Sequence, residues 1–121
     1  IIDLNDFKFI NDNFGHITGD KVLVFFAKKL KKLGGDVIRY GGDEFLVLFE
    51  KESSIEKIKN DLHILRELLY KRNIETNGHK FKLSFSYGLS TFRVNQLLTK
   101  VLGEADSAMY VDKEKFKSRV K

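Results

Sequence analysis

The sequence predicts an α/β or α+β domain in which helices flank a central, largely antiparallel sheet. Helix-like and strand-like segments alternate along the chain, and two apolar runs at 37–40 and 45–49 frame a glycine-rich turn, the pattern of a β-hairpin. A further stretch at 81–89 alternates apolar and polar residues, as a half-buried strand does. A length of 121 residues without repeats or linkers predicts one domain.

The first elements are a strand end and a helix. Ile1, Ile2 and Asp3 indicate the last part of a strand already under way, so we expect the chain to be a fragment of a longer protein. Helical spacing of apolar residues predicts a helix over 20–33, which Gly34 and Gly35 end. In the hairpin that follows, Gly41 and Gly42 are expected to supply positive φ angles.

The second half predicts two more helices around a strand. Ser53 and Glu56 form a candidate capping box for a helix, and Asn77-Gly78 predicts a turn before the strand at 81–89. A last helix is predicted over about 94–110. The apolar residues expected to face the core from the two helices are Ile55, Ile58, Leu62, Leu65, Leu69, Leu97, Leu98, Val101, Leu102, Ala105 and Met109.

Composition excludes several kinds of site. There is no cysteine, and His16, His63 and His79 are too scattered to suggest a zinc site, so any metal must be held by oxygen. No stretch approaches the roughly 20 apolar residues of a membrane span. The net charge of +5 comes mostly from lysines on helix faces without interleaved aromatic residues, so we expect a solvated surface and no nucleic-acid partner.

Two neighbouring carboxylates, Asp43 and Glu44, follow the glycines of the hairpin turn. A divalent cation would relieve their repulsion, and oxygen ligands favour Mg²⁺, which keeps water and substrate phosphates in its other positions. A third carboxylate is then expected nearby, and Asp3 is the candidate if its strand pairs with the hairpin. The alternatives are a solvated hairpin tip for Asp43 and Glu44 and a helix N-cap for Asp3.

Three separated motifs resemble the GGDEF family, the diguanylate cyclases. The segment DLNDFKFINDNFGHITGD at 3–20 matches the family's D-x-[DN]-x-F-K-x-[IV]-N-D-x-x-G-H-x-x-G-D pattern. The turn RYGGDEF at 39–45 is the sequence that names the family, and ADSAMYVDK at 105–113 resembles its A-D-x-A-[LM]-Y-x-x-K helix. The family's opening helix and D-x-L-T-G segment have no counterpart, and SFSYG at 84–88 is similar to its S-x-G strand.

The resemblance implies a fold similar to nucleotidyl cyclase catalytic domains and the condensation of two GTP molecules into cyclic di-GMP, with release of pyrophosphate. It also implies a metal site, for Mg²⁺ with Mn²⁺ as the alternative, formed by Asp3, the carbonyl of Leu4, Asp43 and Glu44. Asp43 and Glu44 are the implied catalytic residues, with Asp43 at the position associated with activating the attacking hydroxyl.

The resemblance further implies a set of substrate-binding residues. Asn11 and Asp20 match positions that bind guanine, although Asp20 could instead N-cap a helix. His16 matches a fixed position where stabilisation of the turn is an equal alternative. The remaining candidates are Lys8, Lys113 and Lys117 for the triphosphate and Gly41 and Gly42 for the approach of the ligand; Lys117 stands where the family more often has arginine.

The resemblance also implies how the protein is regulated and which partners it has. The family's product-inhibition site, R-x-x-D, falls on Lys32 and Gly35 here, so we expect it to be absent or much weakened, with Asp36 out of register. Because one site binds one GTP, we expect catalysis to require a homodimer. We also expect a cytoplasmic domain that is fused to a sensory or regulatory domain. The parent protein could be soluble or membrane-anchored. The alternative function is an inactive GGDEF domain that binds GTP or cyclic di-GMP and controls a fused partner.

Overall fold

The structure is a computed structural model that describes residues 1–50, 54–76, 78–91, 93 and 95–120, with the backbone alone for 118–120. Strands and helices alternate through this part of the chain. In order, they are β1 (Ile2–Leu4), α1 (Phe7–Phe14), α2 (His16–Lys31), β2 (Asp36–Arg39), β3 (Glu44–Leu48), α3 (Ile55–Lys71), β4 (Ile74–Thr76), β5 (His79–Phe81), β6 (Phe85–Tyr87) and α4 (Leu98–Val120).

The central sheet has four strands in the order β2-β3-β1-β6, and every neighbouring pair is antiparallel. Strands β4 and β5 form a separate two-stranded hairpin. The largely antiparallel sheet flanked by helices is confirmed. The predicted pairing of the first strand with the hairpin is also confirmed, because β1 lies between β3 and β6.

Helices cover both faces of the sheet. Phe45 packs into the larger core with α1, α2 and α3, whereas its neighbour Leu46 packs against Ala105 and Met109 of α4. Because successive strand residues point to opposite faces, α4 covers the face opposite to the other three helices. Phe26 is wholly buried in the larger core, where its ring lies 5.5 Å from that of Phe45 and 5.3 Å from that of Phe85.

Two short-range features differ from the prediction at the start of the chain. Helix α1 was not predicted, because eight residues give too few turns for a periodic pattern. Phe7 and Ile10 are buried in α1, whereas Phe9 is 59% exposed. Helix α2 begins at His16, four residues before the predicted start, since Gly15 with φ 90° separates it from α1.

Helix α3 is capped by Ser54, whose hydroxyl accepts a hydrogen bond from the backbone of Lys57 at 3.4 Å. The predicted cap, Ser53, lies outside the described residues. The predicted apolar face is confirmed for Leu62, Leu65 and Leu69, which are buried, and for Ile58, which packs against the core. Ile55 is 41% exposed and does not face the core.

The predicted strand at 81–89 is broken into two. Its first residue, Phe81, pairs with Ile74 in the separate hairpin, and the chain then continues as β6 in the central sheet. Leu83, between the two strands, is wholly buried, so the alternating pattern reflects burial rather than one continuous strand. Gly78 has φ 79°, in agreement with the predicted turn, although Asn77 lies outside the described residues.

Helix α4 begins later and extends further than predicted. Val101, Ala105 and Met109 are buried and Leu102 packs beside them, but Leu97 and Leu98 are 74% and 54% exposed, so their assignment to the core is wrong. The predicted start, Val94, lies outside the described residues. Of the helices in the described part, none combines the length and the apolar character needed to cross a membrane.

Candidate functional site

The hairpin turn at 40–44 is held by its own backbone and by one arginine. The carbonyl of Glu44 accepts hydrogen bonds from the N–H groups of Tyr40 at 2.9 Å and Gly41 at 3.2 Å. The guanidinium group of Arg39 donates to the carbonyls of Gly41 at 3.2 Å and Gly42 at 2.8 Å. Sequence reasoning gave Arg39 no role, although it lies within the motif at 39–45.

The two glycines of the turn provide space rather than unusual backbone angles. Neither Gly41 nor Gly42 has a positive φ angle, so the predicted conformational role is wrong. A Cβ atom at Gly42 would meet nothing within 4 Å, and one at Gly41 would lie 3.7 Å from Oε2 of Glu44. A side chain at Gly41 would therefore lie against the Glu44 carboxylate, and one at Gly42 would extend into open space.

Strand β1 places Asp3 beside this turn. Asp3 pairs with Glu44 on β3 and with Ser86 on β6, so it occupies the middle of the sheet and is not a helix N-cap. The N–H of Leu4 donates to the carbonyl of Asp43 at 3.1 Å, which ties the turn to β1. The structure thus brings together Asp3, Asp43 and Glu44, as the sequence predicts, through an antiparallel register that spans about forty residues.

Asp3 is a buried carboxylate with one paired and one unpaired oxygen. Its Oδ2 accepts a hydrogen bond from Nζ of Lys113 on α4 at 2.6 Å, while its Oδ1 is buried without a hydrogen-bond partner. Burial raises the pKa of Asp3 to about 6, and repulsion from Asp43 adds to the rise, whereas the hydrogen bond and charge of Lys113 oppose it. An unpaired buried carboxylate oxygen is costly unless something binds it.

Asp3, Asp43 and Glu44 together have some of the features of a binding site for a hard divalent cation. Among the described residues, no group of three or more acidic or histidine side chains is already arranged to hold a metal ion. Mg²⁺ commonly takes only one or two protein carboxylates and fills its other positions with water and phosphate oxygens. The unpaired Oδ1 of Asp3, opposite Glu44 in the sheet, is the observation that favours such an ion.

The predicted guanine-binding residues lie on α1 and α2. Asn11 is half-buried on α1, and its side chain lies against Gly19 of α2, where a Cβ would come within 1.8 Å of Oδ1. Asp20 follows Gly19 and is exposed in the second turn of α2, so the alternative of an N-cap is excluded. Close packing of the two helices therefore brings the Asn11 side chain against Gly19, the residue before Asp20.

The remaining predicted ligands lie on exposed helix surfaces. Lys8 on α1 and His16, the first residue of α2, are both exposed. Lys117 is about one turn beyond Lys113 on α4, and its side chain is 57% exposed and pairs with Glu114 at 3.6 Å. We call the hairpin turn at 40–44, with Asp43 and Glu44, the acidic turn. Of the three predicted triphosphate lysines, Lys113 is the one that a described contact joins to Asp3, beside this turn.

Asn5 is a structural residue of the site that sequence reasoning missed. It is 4% exposed, its amide nitrogen donates to Oγ of Ser84 at 3.1 Å, and its amide oxygen accepts from Oγ of Ser86 at 2.9 Å. These bonds hold the end of β1 to β6 and so fix the backbone that carries Asp3. Its place in the first motif was the available signal.

The two positions where the family has its product-inhibition site hold neither arginine nor aspartate in this chain. Lys32 is exposed at the end of α2, and Asp36 is exposed at the start of β2. A Cβ at Gly35 would lie 2.7 Å from the carbonyl oxygen of Leu48 and 2.8 Å from Cγ1 of Val47. The backbone therefore leaves no room for an aspartate side chain at Gly35 without a shift.

Comparisons with known proteins identify the family of the chain. The family described as "Diguanylate cyclase, GGDEF domain" matches residues 1–119. The diguanylate cyclase DgcP of Pseudomonas aeruginosa is 33% identical over 99% of this chain, and DosC of Escherichia coli is 32% identical over 99%. The chain spans only 18% and 27% of the lengths of these two relatives.

Solved structures show the same fold. The GGDEF domain of YfiN (TpbB) from Pseudomonas aeruginosa has a TM-score of 0.82 at 30% identity, with 94% of this chain and 73% of that chain covered. The GGDEF domain of DgcB from Caulobacter crescentus, solved in complex with c-di-GMP, has a TM-score of 0.84 at 25% identity, with coverages of 94% and 70%. With the family match over residues 1–119, these similarities show that the chain belongs to the GGDEF domain family of diguanylate cyclases.

Proposed function

We propose that this chain is an active, Mg²⁺-dependent diguanylate cyclase domain that condenses two GTP molecules into cyclic di-GMP. The observation that carries the proposal is the buried Asp3 carboxylate, which has an unpaired oxygen, lies opposite Glu44 and is joined to Lys113. The relatives named diguanylate cyclases and the similar domain solved with c-di-GMP support it.

The acidic residues would hold the metal. Asp3 and Glu44 would bind it together with Asp43 and the Leu4 carbonyl, and Mn²⁺ is the alternative ion. When bound, a divalent cation neutralises charge on the triphosphate and favours departure of pyrophosphate. The open space in front of Gly42 admits the phosphates to the turn.

The other residues of the site position the substrate. Lys113 lies where its ammonium group can move from Asp3 to a phosphate oxygen once a cation neutralises the carboxylate. Asn11 and Asp20 would bind the guanine base, because a carboxylate accepts from N1–H and the 2-amino group, which adenine does not offer in that pattern. We therefore expect cyclic di-GMP rather than a mixed guanine–adenine product.

The reaction requires two domains. In each of two steps, a 3′-oxygen bonds to an α-phosphorus, the bond from that phosphorus to the pyrophosphate oxygen breaks, and Asp43 accepts the hydroxyl proton. Because each domain binds one GTP, the two 3′-hydroxyl groups and α-phosphates meet only in a homodimer. A regulatory domain elsewhere in a longer protein would control this dimer.

Incubation of the protein with GTP and Mg²⁺, followed by chromatographic resolution of the products, tests the proposal. Formation of cyclic di-GMP with specific activity that rises with protein concentration is expected. Binding of GTP or cyclic di-GMP without turnover would instead support the alternative of a regulatory binding module. Labelled ATP at the concentration of GTP should not be incorporated.

A further inference from the structure

A second ion pair lies next to the Lys113–Asp3 pair and joins α3 to α4. NH1 of Arg66 on α3 is 2.6 Å from Oδ2 of Asp112 on α4, and the two side chains are 22% and 21% exposed. The same oxygen accepts a hydrogen bond from the backbone N–H of Tyr87 on β6 at 2.9 Å. The guanidinium group of Arg66 also lies 4.8 Å from the centre of the Tyr87 ring.

The contacts among Arg66, Asp112 and Tyr87 fix the rotation of α4 about its axis. Asp112 and Lys113 are neighbours on the helix and point about 100° apart. Asp112 is bonded to β6, and Lys113 to Asp3 on the adjacent strand β1. A helix held at Asp112 can therefore present Lys113 to Asp3 in one orientation only.

Close packing on the sheet holds α4 as far as Met109, and polar contacts are added beyond that residue. The backbone of α4 lies on Gly88, where a Cβ would be 1.9 Å from the carbonyl oxygen of Ala105 and 2.3 Å from the nitrogen of Met109. Beyond Met109, the side-chain hydrogen bonds from α4 to other elements within the described residues are those of Asp112 and Lys113. Asp112 is thus the polar anchor of α4 next to Lys113.

Arg66 determines which partner Asp112 takes. With Arg66 present, the carboxylate has an opposite charge on the α3 side and a neutral donor on the β6 side. Without Arg66, a half-buried carboxylate is left with a single neutral donor, and a shift of α4 toward solvent would let water hydrate it. Such a shift would withdraw Lys113 from Asp3.

We propose that Arg66, acting through Asp112, is a positioning residue that holds Lys113 at the acidic turn. The benefit to GTP binding rests on the proposed function, whereas the effect on Lys113 itself does not. None of the three motifs that carry the resemblance includes Arg66, and α3 has no residue in the predicted site.

The test uses Arg66→Gln, Arg66→Lys and Asp112→Asn in the full chain, with Lys57→Gln as the matched control. Lys57 is also a cation on α3, its side chain is 77% exposed, and its ion pair among the described residues is with Asp61 of the same helix, at 3.5 Å. Thermal unfolding first establishes that each variant is folded at the assay temperature. The first readout is reductive methylation of Lys113, followed by mass spectrometry without any nucleotide.

Lys113 should be methylated several-fold faster in Arg66→Gln and Asp112→Asn than in the wild type, and unchanged in Lys57→Gln. Arg66→Lys should restore most of the protection, because one charged donor faces Oδ2 of Asp112. Unchanged Lys113 reactivity in folded Arg66→Gln would overturn the inference, whatever the protein does with GTP.

The second readout is kinetic. Arg66→Gln should raise KM for GTP about tenfold, the effect of one lost charge-assisted hydrogen bond, with a smaller change in kcat. In a Lys113→Met background, the same substitution should have no further effect on KM. An equal rise in KM in both backgrounds would show that Arg66 acts independently of Lys113 and would contradict the inference. Altered Lys113 reactivity in a protein without turnover would support the positioning role and contradict the proposed function.

Discussion

Nζ of Lys113 lies 2.6 Å from Oδ2 of Asp3, although the two residues are 110 positions apart in the sequence. This contact joins α4 to the central strand of the sheet at the point where β1 meets the acidic turn. It also gives the buried carboxylate a counter-charge in the absence of a cation. The pair therefore connects the first and third sequence motifs in one site.

Replacement of Lys113 by Met should weaken both stability and GTP binding. It leaves the Asp3 carboxylate buried without its charged partner, at a cost of about 2 kcal/mol in the free energy of unfolding. KM for GTP should rise about tenfold. Lys117→Met, which removes an exposed lysine about one turn away, should change the unfolding free energy by less than about 0.5 kcal/mol. Equal destabilisation by the two substitutions in urea denaturation would contradict this account.

Glu44→Gln should abolish synthesis of cyclic di-GMP while leaving the fold intact. The substitution removes an anionic ligand of the proposed metal site from a half-buried turn outside both apolar cores. Circular dichroism and product chromatography measure the two effects. Glu104→Gln, an exposed carboxylate on α4, is the control and should keep full activity. Loss of the folded state in Glu44→Gln would argue that the residue has a structural role instead.

The free energy of unfolding of the metal-free protein should depend on pH through the titration of Asp3. Its pKa is raised to about 6 in the folded state from an ordinary 3.8, so the folded state binds more protons between these values. This contribution to stability is present below about pH 4 and is lost as the pH rises to about 6. Relative to Asp3→Asn, the wild type in chelator should therefore become less stable from pH 4 to pH 7. A relative stability that rises over this range would contradict the raised pKa.

Gly19→Ala should raise KM for GTP several-fold with little change in melting temperature. The new Cβ would displace the Asn11 side chain, which is flexible at its far end, rather than the backbone. Gly103→Ala is the control, because that position in α4 has open space; it should stabilise the protein by about 0.5–1 kcal/mol without affecting KM. If Gly19→Ala leaves KM unchanged, Asn11 has no part in binding the base.

Added cyclic di-GMP should leave initial rates nearly constant at concentrations well above that of the enzyme. Lys32 lacks the planar fork of arginine, and Gly35 has no space for a carboxylate beside Leu48 and Val47. Only weak competition with GTP is expected. Steep, noncompetitive inhibition in an initial-rate assay would show that Asp36 or another site binds the product.

The sequence predicted what depends on local pattern and on motif spacing. The hairpin at 37–48, the buried faces of α2 and α3, and the approach of Asp3 to Glu44 follow from apolar periodicity and from a strand that ends at a carboxylate. The prediction for Leu97 and Leu98 was wrong because helical periodicity does not determine where a helix begins.

Contacts between distant elements were not predictable in this way. The Asp3–Lys113 and Arg66–Asp112 pairs depend on how α3 and α4 dock on the sheet, and the Asn5 network depends on the pairing of β1 with β6. Motif positions single out Asp3, Asn5 and Lys113 but do not say which residues they contact, and Arg66 lies outside the motifs. The break between β5 and β6 was missed because alternation of buried residues continues through Leu83.

Quantification of the products of GTP at micromolar protein and millimolar Mg²⁺ is the most direct test of the central claim, that the acidic turn with Asp3 is an active cyclase site. The wild type should form one cyclic di-GMP for every two pyrophosphates released, and Glu44→Gln, assayed in parallel, should form none. Unchanged GTP in the presence of folded, GTP-binding wild-type protein would contradict the claim, as would equal product formation by Glu44→Gln.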